Sequence, residues 1–204
     1  MNTVAIIDYG MGNMGSVLNA LAYLKAPALV TRDVEEIRRA SHIILPGVGA
    51  FEEGMRNLRK YGLIPILEET TKARKPFLGI CLGMQLLASV GEEGGIHTGL
   101  SLIPGRVRRF QVDEVNVRVP HIGWNDVSSS SDSVLFKNVS PPIFYFVHSF
   151  HLVPEDKKAV SATCTYGEQF VAAVKKDSVF GVQFHPEKSQ KSGLAVLTNF
   201  LEYA

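Results

Sequence analysis

The sequence predicts an α/β protein whose largely parallel central sheet is flanked by helices and carries an antiparallel β extension. Two patterns carry that prediction. In the first half, short runs apolar on both faces alternate with amphipathic helical stretches, as in a parallel sheet covered on both sides. From Gly105 to Phe184, many short β-prone runs are divided by turn signals, which reads as an antiparallel extension. With 204 residues, 46% of them hydrophobic, the chain can bury a sizeable core without disulfide staples.

Val4 to Ile7 is the first predicted strand, ending at Asp8 and followed by a Gly-rich stretch from Tyr9 to Gly15. Met14, Val17, Leu18, Leu21 and Leu24 then fall on one helical face, and Pro27 stops the helix. Ala28 to Thr31 is a second strand, and Asp33 caps a short helix through Arg39. Ile43 to Leu45 is a third strand, closed by Pro46-Gly47-Val48-Gly49. Gly62 and Pro65 divide the helical stretch from Phe51 to Ala73 into two pieces, and Pro76 to Ile80 is a fourth strand. Further strands are expected over Val115–Val119, Phe144–Val147, Phe170–Val174 and Val179–Phe184, with turns at Ser128 to Ser133 and Pro141-Pro142. A last helix carries Leu194, Leu197, Phe200 and Leu201 on one face.

The 21 Lys and Arg residues nearly balance 20 Asp and Glu, which disfavours a nucleic-acid binder relying on a basic field. Apolar runs of about four to seven residues fall far short of the ~20 that cross a bilayer. The start Met1-Asn2-Thr3-Val4 does not read as a signal peptide. Two cysteines, Cys81 and Cys164, exclude a disulfide-built scaffold. A soluble cytoplasmic enzyme is expected.

Cys81 is the first candidate for chemistry. It lies in Gly79-Ile80-Cys81-Leu82-Gly83, after an apolar strand and before a helical pattern, the form of a nucleophile elbow with cysteine in place of serine. Its glycines allow a tight strand-to-helix turn and are expected to clear room for substrate. A thiol nucleophile needs a base and a group that orients the base. His185, two residues before Glu187, supplies both: in extended backbone such side chains share a face, roughly 6–7 Å apart. For a developing oxyanion, the backbone N–H groups of Leu82 and Val48 are the expected donors, Val48 lying in a glycine-flanked loop at the same sheet edge. Gly10 to Gly15 has a G-x-G-x-x-G spacing, but no acidic residue ends a second strand, and Asp33 is only a substitute, so a nucleotide site is not expected there.

Gly79-Ile80-Cys81-Leu82-Gly83-Met84-Gln85 with His185-Pro186-Glu187 resembles the signature of the class I, triad-type glutamine amidotransferases, and the resemblance spans nearly the whole chain. The segments Asp8–Asn13, Pro46–Phe51, Pro120–Asn125, Val147–Phe150 and His185–Ser189 are similar to the branch serving histidine biosynthesis. Pro46-Gly47-Val48-Gly49 is the discriminating loop, since most other members resemble Pro-Gly-Gly there. The resemblance implies one amidotransferase domain over residues 1–204 and the class I amidotransferase fold. It implies that Cys81 attacks the side-chain amide of L-glutamine, with His185 oriented by Glu187 as acid and base, through a glutamyl thioester. Gln85, Ser149 and Phe150 match glutamine-holding positions; His148 matches a family position that a structural histidine would also fill, and Cys164 reads as an ordinary strand residue. The implied partner is a cyclase subunit, a (β/α)8 barrel in a heterodimer, which receives the ammonia internally and is contacted by Asn13, Trp124 and Lys188. No cofactor, metal, nucleic acid or membrane is implied. Lys25-Ala26-Pro27 departs from the glycine expected at the first helix's end.

Three other readings remain open on the residues: a stand-alone cysteine hydrolase not dependent on Gln85, a non-catalytic module whose Cys81, His185 and Glu187 bind a metal, and a glutaminase of another pathway such as pyridoxal phosphate synthesis. The Pro46–Phe51 and Pro120–Asn125 segments argue against the last.

Overall fold

A computed structural model describes residues 3–113, 115–130 and 132–203; Met1 and Asn2, Glu114, Ser131 of the serine-rich turn, and Ala204 lie outside the described residues. The first half follows the alternation of its sequence: β1 (Val4–Ile7), α1 (Met14–Tyr23), β2 (Ala28–Thr31), α2 (Val34–Arg39), β3 (His42–Leu45), α3 (Phe51–Lys60), α4 (Ile64–Lys72), β4 (Phe77–Ile80) and α5 (Leu82–Leu86). Asp33 caps α2 as expected, its carboxylate accepting the Glu36 N–H at 2.9 Å. The helical stretch divides where expected: Gly62 turns with φ +65 after α3, and Pro65 sits in the first turn of α4.

The second half supplies β5 (Val90–Gly91), β6 (His97–Thr98), β7 (Gly105–Arg109), β8 (His121–Asp126), β9 (Ser128–Ser129), β10 (Ile143–His148), β11 (Phe150–Pro154), β12 (Val160–Tyr166), β13 (Glu168–Lys176), β14 (Val179–Val182) and α6 (Gln190–Leu201). The main sheet runs β2-β1-β3-β4-β14-β13-β12-β9. Its first five strands are parallel, so β14 continues the parallel core, and the antiparallel extension begins only at β13. The remaining strands leave this sheet: β10 pairs with β8 alone, and β11-β7-β5-β6 forms a separate sheet.

Period-two alternation builds two cores, one on each face of the sheet. Val4, Ile6, Ile44, Leu78 and Ile80 point to one side, where α1 and α6 contribute Val17, Leu21, Val196, Leu197 and Phe200. Ala5, Ile7, Ile43, Leu45 and Phe77 point to the other, against Ile37, Phe51, Met55, Leu58, Leu67, Met84 and Leu86 of α2 to α5.

The strand expected over Val115–Val119 does not form. Asp113 turns the chain there: its side chain accepts the Val115 N–H and its carbonyl accepts those of Asn116 and Val117. Val115 is left 91% exposed, so β-prone composition found no neighbouring surface to cover it. Part of the expected serine-rich turn is the short strand β9, paired with β12.

Candidate active site

Three neighbouring parallel strands, β3, β4 and β14, end at one edge of the sheet, and the segments that follow them bring the site together. Ile80 lies opposite Val182 in register, so Cys81, just past β4, and His185, just past β14, emerge side by side. The Cys81 N–H is bonded to the Val182 carbonyl at 2.8 Å, tying the two strand ends together.

Cys81 has φ 54 and ψ −110, a conformation L residues seldom adopt, and it precedes α5 directly. This is the strained elbow that the G-x-C-x-G pattern predicts. Of the two purposes expected of the glycines, the tight strand-to-helix turn is the one their surroundings show. A Cβ on Gly83 would lie 1.8 Å from the Leu45 carbonyl oxygen, and one on Gly79 would lie 2.6 Å from that of Gly83. They let α5 close onto the strands rather than clearing space for a substrate.

His185 is 2% exposed, and its Nδ1–H donates to Glu187 Oε1 at 2.8 Å. The pairing does not come from extended backbone on both sides: Pro186–Lys188 forms a 3-10 turn that carries Glu187 back beneath the imidazole. Ser189 fixes the turn, its hydroxyl donating to the His185 carbonyl at 2.6 Å and accepting the Tyr145 N–H. Nε2 has no hydrogen-bond partner among the described residues and remains available on the Cys81 side. Burial lowers the proton affinity of His185, but the adjacent Cys81 and Glu187 outweigh it and raise its pKa to about 10.

A cavity of about 510 Å3 opens onto Cys81, lined also by Val48, Leu82, Gln85, Ser149 and Phe150, so the expected nucleophile, oxyanion and substrate positions share one space. Gln85 Nε2 donates to the Phe150 carbonyl at 2.9 Å and to Gln183 Oε1 at 3.3 Å, so the amide is oriented with its Oε1 as the group able to accept from a ligand.

The oxyanion donors stand differently from their expected arrangement. The Leu82 N–H donates to the Gly47 carbonyl at 3.3 Å. That carbonyl belongs to the peptide whose other end is the Val48 N–H, and a trans peptide points its two ends in opposite directions. With the carbonyl towards Leu82, Val48 is turned away, so the two donors do not converge in this conformation. Tyr9, wholly buried, donates its hydroxyl to the Pro46 carbonyl at 2.7 Å and braces the start of this loop.

Of the expected partner-contact residues, Trp124 and Lys188 meet at one ring, while Asn13 lies in a crevice beside the triad. Trp124, 48% exposed on β8, packs edge-on against Tyr145, and Lys188 Nζ lies 5.9 Å from the same ring. Half-buried Asn13 shares a narrow crevice with Gly47, Val48, His185 and Glu187, so it adjoins both the triad and the glycine-flanked loop.

His148 is a satisfied structural histidine. Its Nδ1 lies 2.9 Å from the Phe150 carbonyl and its Nε2 3.2 Å from His121 Nδ1. His121 in turn stacks on Tyr166 and Phe146. Cys164 is buried on β12, and burial pushes its thiol up to about 12. Among the described residues, no group of three or more His, Cys, Asp or Glu is placed to hold a metal. No helix among them is long and apolar enough to cross a membrane.

Sequence reasoning missed Gln183, Tyr9 and Glu93. Gln183 had a signal, a single amide inside the apolar run Val179–Phe184. Tyr9 had none beyond its place at the end of the first strand. Glu93, which lines the cavity and accepts the Phe51 N–H at 2.9 Å, sits in an acidic, Gly-rich turn of ordinary composition.

The pattern of the family described as glutamine amidotransferase class I matches residues 5–203. The chain is 48% identical to imidazole glycerol phosphate synthase subunit HisH of Moorella thermoacetica, over 99% of this chain and 95% of that one. It is 44% identical to the subunit of the same name from Geobacter sulfurreducens, over 99% of both. Among solved structures, PurLQS from Thermotoga maritima superposes with a TM-score of 0.75 at 19% identity, covering 99% of this chain and 98% of that one. A crystal structure titled glutamine amidotransferase superposes with a TM-score of 0.74 at 19% identity, covering 98% and 97%. These last two likenesses concern the fold.

Proposed function

The chain belongs to the class I glutamine amidotransferases, and from that premise we propose that it is the glutaminase subunit of an imidazole glycerol phosphate synthase, releasing ammonia from L-glutamine for histidine biosynthesis. The observation that carries the site assignment is the strained Cys81, which lines a cavity together with Gln85 and lies beside a buried His185–Glu187 pair.

The Cys81 thiolate attacks the side-chain carbonyl carbon of glutamine. The C–N bond then breaks as His185 Nε2–H protonates the departing amide nitrogen, leaving ammonia and a glutamyl thioester. Water, deprotonated by the now neutral His185, attacks the thioester, and glutamate leaves with the thiolate restored. Glu187 keeps Nδ1–H occupied, so that Nε2 is the nitrogen that exchanges protons with the reaction. Gln85 Oε1 and the backbone at Ser149 and Phe150 orient the glutamine. Glu93, at the rim, supplies a carboxylate for its α-ammonium.

Full rate needs the Leu82 N–H free. Rotating the Gly47–Val48 peptide withdraws the carbonyl from Leu82 and turns the Val48 N–H into the cavity, producing two converging donors from one. Asn13, Gly47, Val48 and Glu187 line one crevice, and Lys188, next to Glu187 in sequence, packs near the Tyr145 ring that Trp124 also meets, so docking of the cyclase subunit on these residues is what we take to favour the rotated peptide. The partner is a (β/α)8 barrel that accepts ammonia before solvent protonates it, and the pair works in the cytoplasm, with residues 1–204 as one catalytic domain.

Glutamate release from glutamine, with and without the cyclase subunit and its nucleotide ligand, tests this reading. Turnover should rise with the partner and vanish in Cys81→Ala. Turnover indifferent to the partner would return the chain to an independent hydrolase.

A further inference from the structure

Gln183 is wholly buried between Val182 and Phe184, in a stretch where every neighbour along the strand is apolar. An amide held away from water costs free energy unless its donors and acceptor are used, so its partners say what it is for. Its backbone is already committed to the sheet, the N–H donating to the Ala172 carbonyl at 2.8 Å. Its side chain reaches into the active site. Nε2 donates to the Cys81 sulfur at 3.8 Å, and Oε1 accepts from Gln85 Nε2 at 3.3 Å.

Another polar neighbour of the sulfur is the Val147 carbonyl at 4.0 Å. The two favour opposite protonation states. A carbonyl can only accept, so it interacts favourably with the S–H form. An amide N–H can only donate, so Gln183 Nε2 favours the thiolate. Around the sulfur, the titratable groups are His185, with Glu187 behind it, and the buried Tyr9. Gln183 is the neutral donor in that set. Its side chain also joins the Cys81 sulfur to the Gln85 amide, and through the Gln85–Phe150 bond to the segment lining the substrate cavity.

We propose that Gln183 is a positioning residue of the reaction, whose side-chain amide donates to the Cys81 thiolate while accepting from Gln85, and so holds the nucleophile and the substrate-orienting side chain in one frame. The proposal rests on the glutaminase reading for Gln85, but its effect on Cys81 does not need glutamine.

The test therefore reads the thiol first. Alkylation of Cys81 by iodoacetamide, assigned by peptide mass so that Cys164 is scored separately, is followed against pH in the unsubstituted chain, Gln183→Met and Gln183→Glu. In Gln183→Met the alkylation profile should move to higher pH, and the rate at neutral pH should fall about tenfold, the usual worth of a hydrogen bond to a charged group. Gln183→Glu should move the profile in the same direction, since a carboxylate beside the thiolate opposes it, while keeping an acceptor for Gln85. With the partner subunit present, Gln183→Met should raise the KM for glutamine as well as lower kcat, whereas Gln183→Glu should lower kcat chiefly. Gln85→Ala should raise KM without moving the alkylation profile. Should circular dichroism show that the Gln183 variants do not fold, the unsubstituted chain decides: the Gln183 side-chain amide resonances should titrate with the midpoint of Cys81 alkylation, and Cys81→Ala should abolish that titration. An unchanged alkylation profile in both folded variants, or an amide that ignores Cys81, overturns the proposal. A chain that passes these tests yet releases no glutamate would instead contradict the glutaminase reading.

Discussion

At the scale of residues, the chemistry depends on which proton sits where. The bond from His185 Nδ1 to Glu187 Oε1 is buried, with only 1% of the Glu187 side chain exposed. Replacing Glu187 with Gln keeps the shape but removes the charge that holds Nδ1 protonated and supports the imidazolium. We expect kcat to fall by about 10²-fold or more with KM little changed, by the precedent of triads whose orienting carboxylate is neutralised. Steady-state glutaminase kinetics with the partner present would check it, and a change confined to KM would place Glu187 in substrate binding instead. Cys81, His185 and Glu187 were legible in the sequence because short-range spacing, G-x-C-x-G and H-x-E, sets their local geometry. Gln183 was not, because its meaning comes from Cys81 and Gln85, 102 and 98 residues away, and only the pairing of β4 with β14 brings them together.

At the scale of elements, the elbow and the second-half sheets each carry a prediction. Gly83 packs so tightly on the end of β3 that a methyl group has only the Leu45 carbonyl to displace. Gly83→Ala should therefore destabilise the fold by about 3 kcal/mol, the upper end for an overpacked site, read as a lower urea midpoint. Unchanged stability would mean that α5 is free to shift. The β8–β10 ribbon poses a pH question. Asn125 faces His121, His121 faces His148, and His148 faces the Phe150 carbonyl, a chain in which each bond is satisfied by neutral rings. Burial lowers the pKa to about 4 for His121, about 3 for His148 and about 4 for His151, against an ordinary value of 6.5. The unfolded chain thus binds protons that the folded one refuses, so the stability these rings contribute is present above pH 6.5 and is lost as pH falls towards 4 and 3. Urea midpoints should decline across that range, and less steeply in His148→Gln. The same ribbon marks a limit of sequence reading. The strand over Phe144–Val147, within β10, was expected to widen the main sheet and β8 was not expected at all, but local alternation does not specify which edge a strand will join, and Val115–Val119 shows that composition alone does not make a strand.

At the scale of the whole molecule, the parallel half was legible almost to the residue because each strand there is apolar on both faces and each helix has one apolar side. The resting position of the Gly47–Val48 peptide was not, since nothing in a glycine-flanked loop dictates which way its carbonyl turns. In the proposed function that peptide is the point at which assembly acts on catalysis. Trp124, with its ring half exposed against Tyr145, is the aromatic anchor such an interface needs, and Trp124→Ala should weaken association with the cyclase subunit by about 2 kcal/mol or more, measurable by titration calorimetry. Unaltered affinity would move the interface elsewhere. The central claim, that Cys81 carries the glutamyl group during turnover, is tested most directly by acid-quenching the complex during glutamine hydrolysis and mapping covalent glutamyl adducts by peptide mass. The account predicts an adduct on the Cys81 peptide that is absent from Cys81→Ala. Glutamate release with no adduct, or with the adduct on another residue, would contradict it.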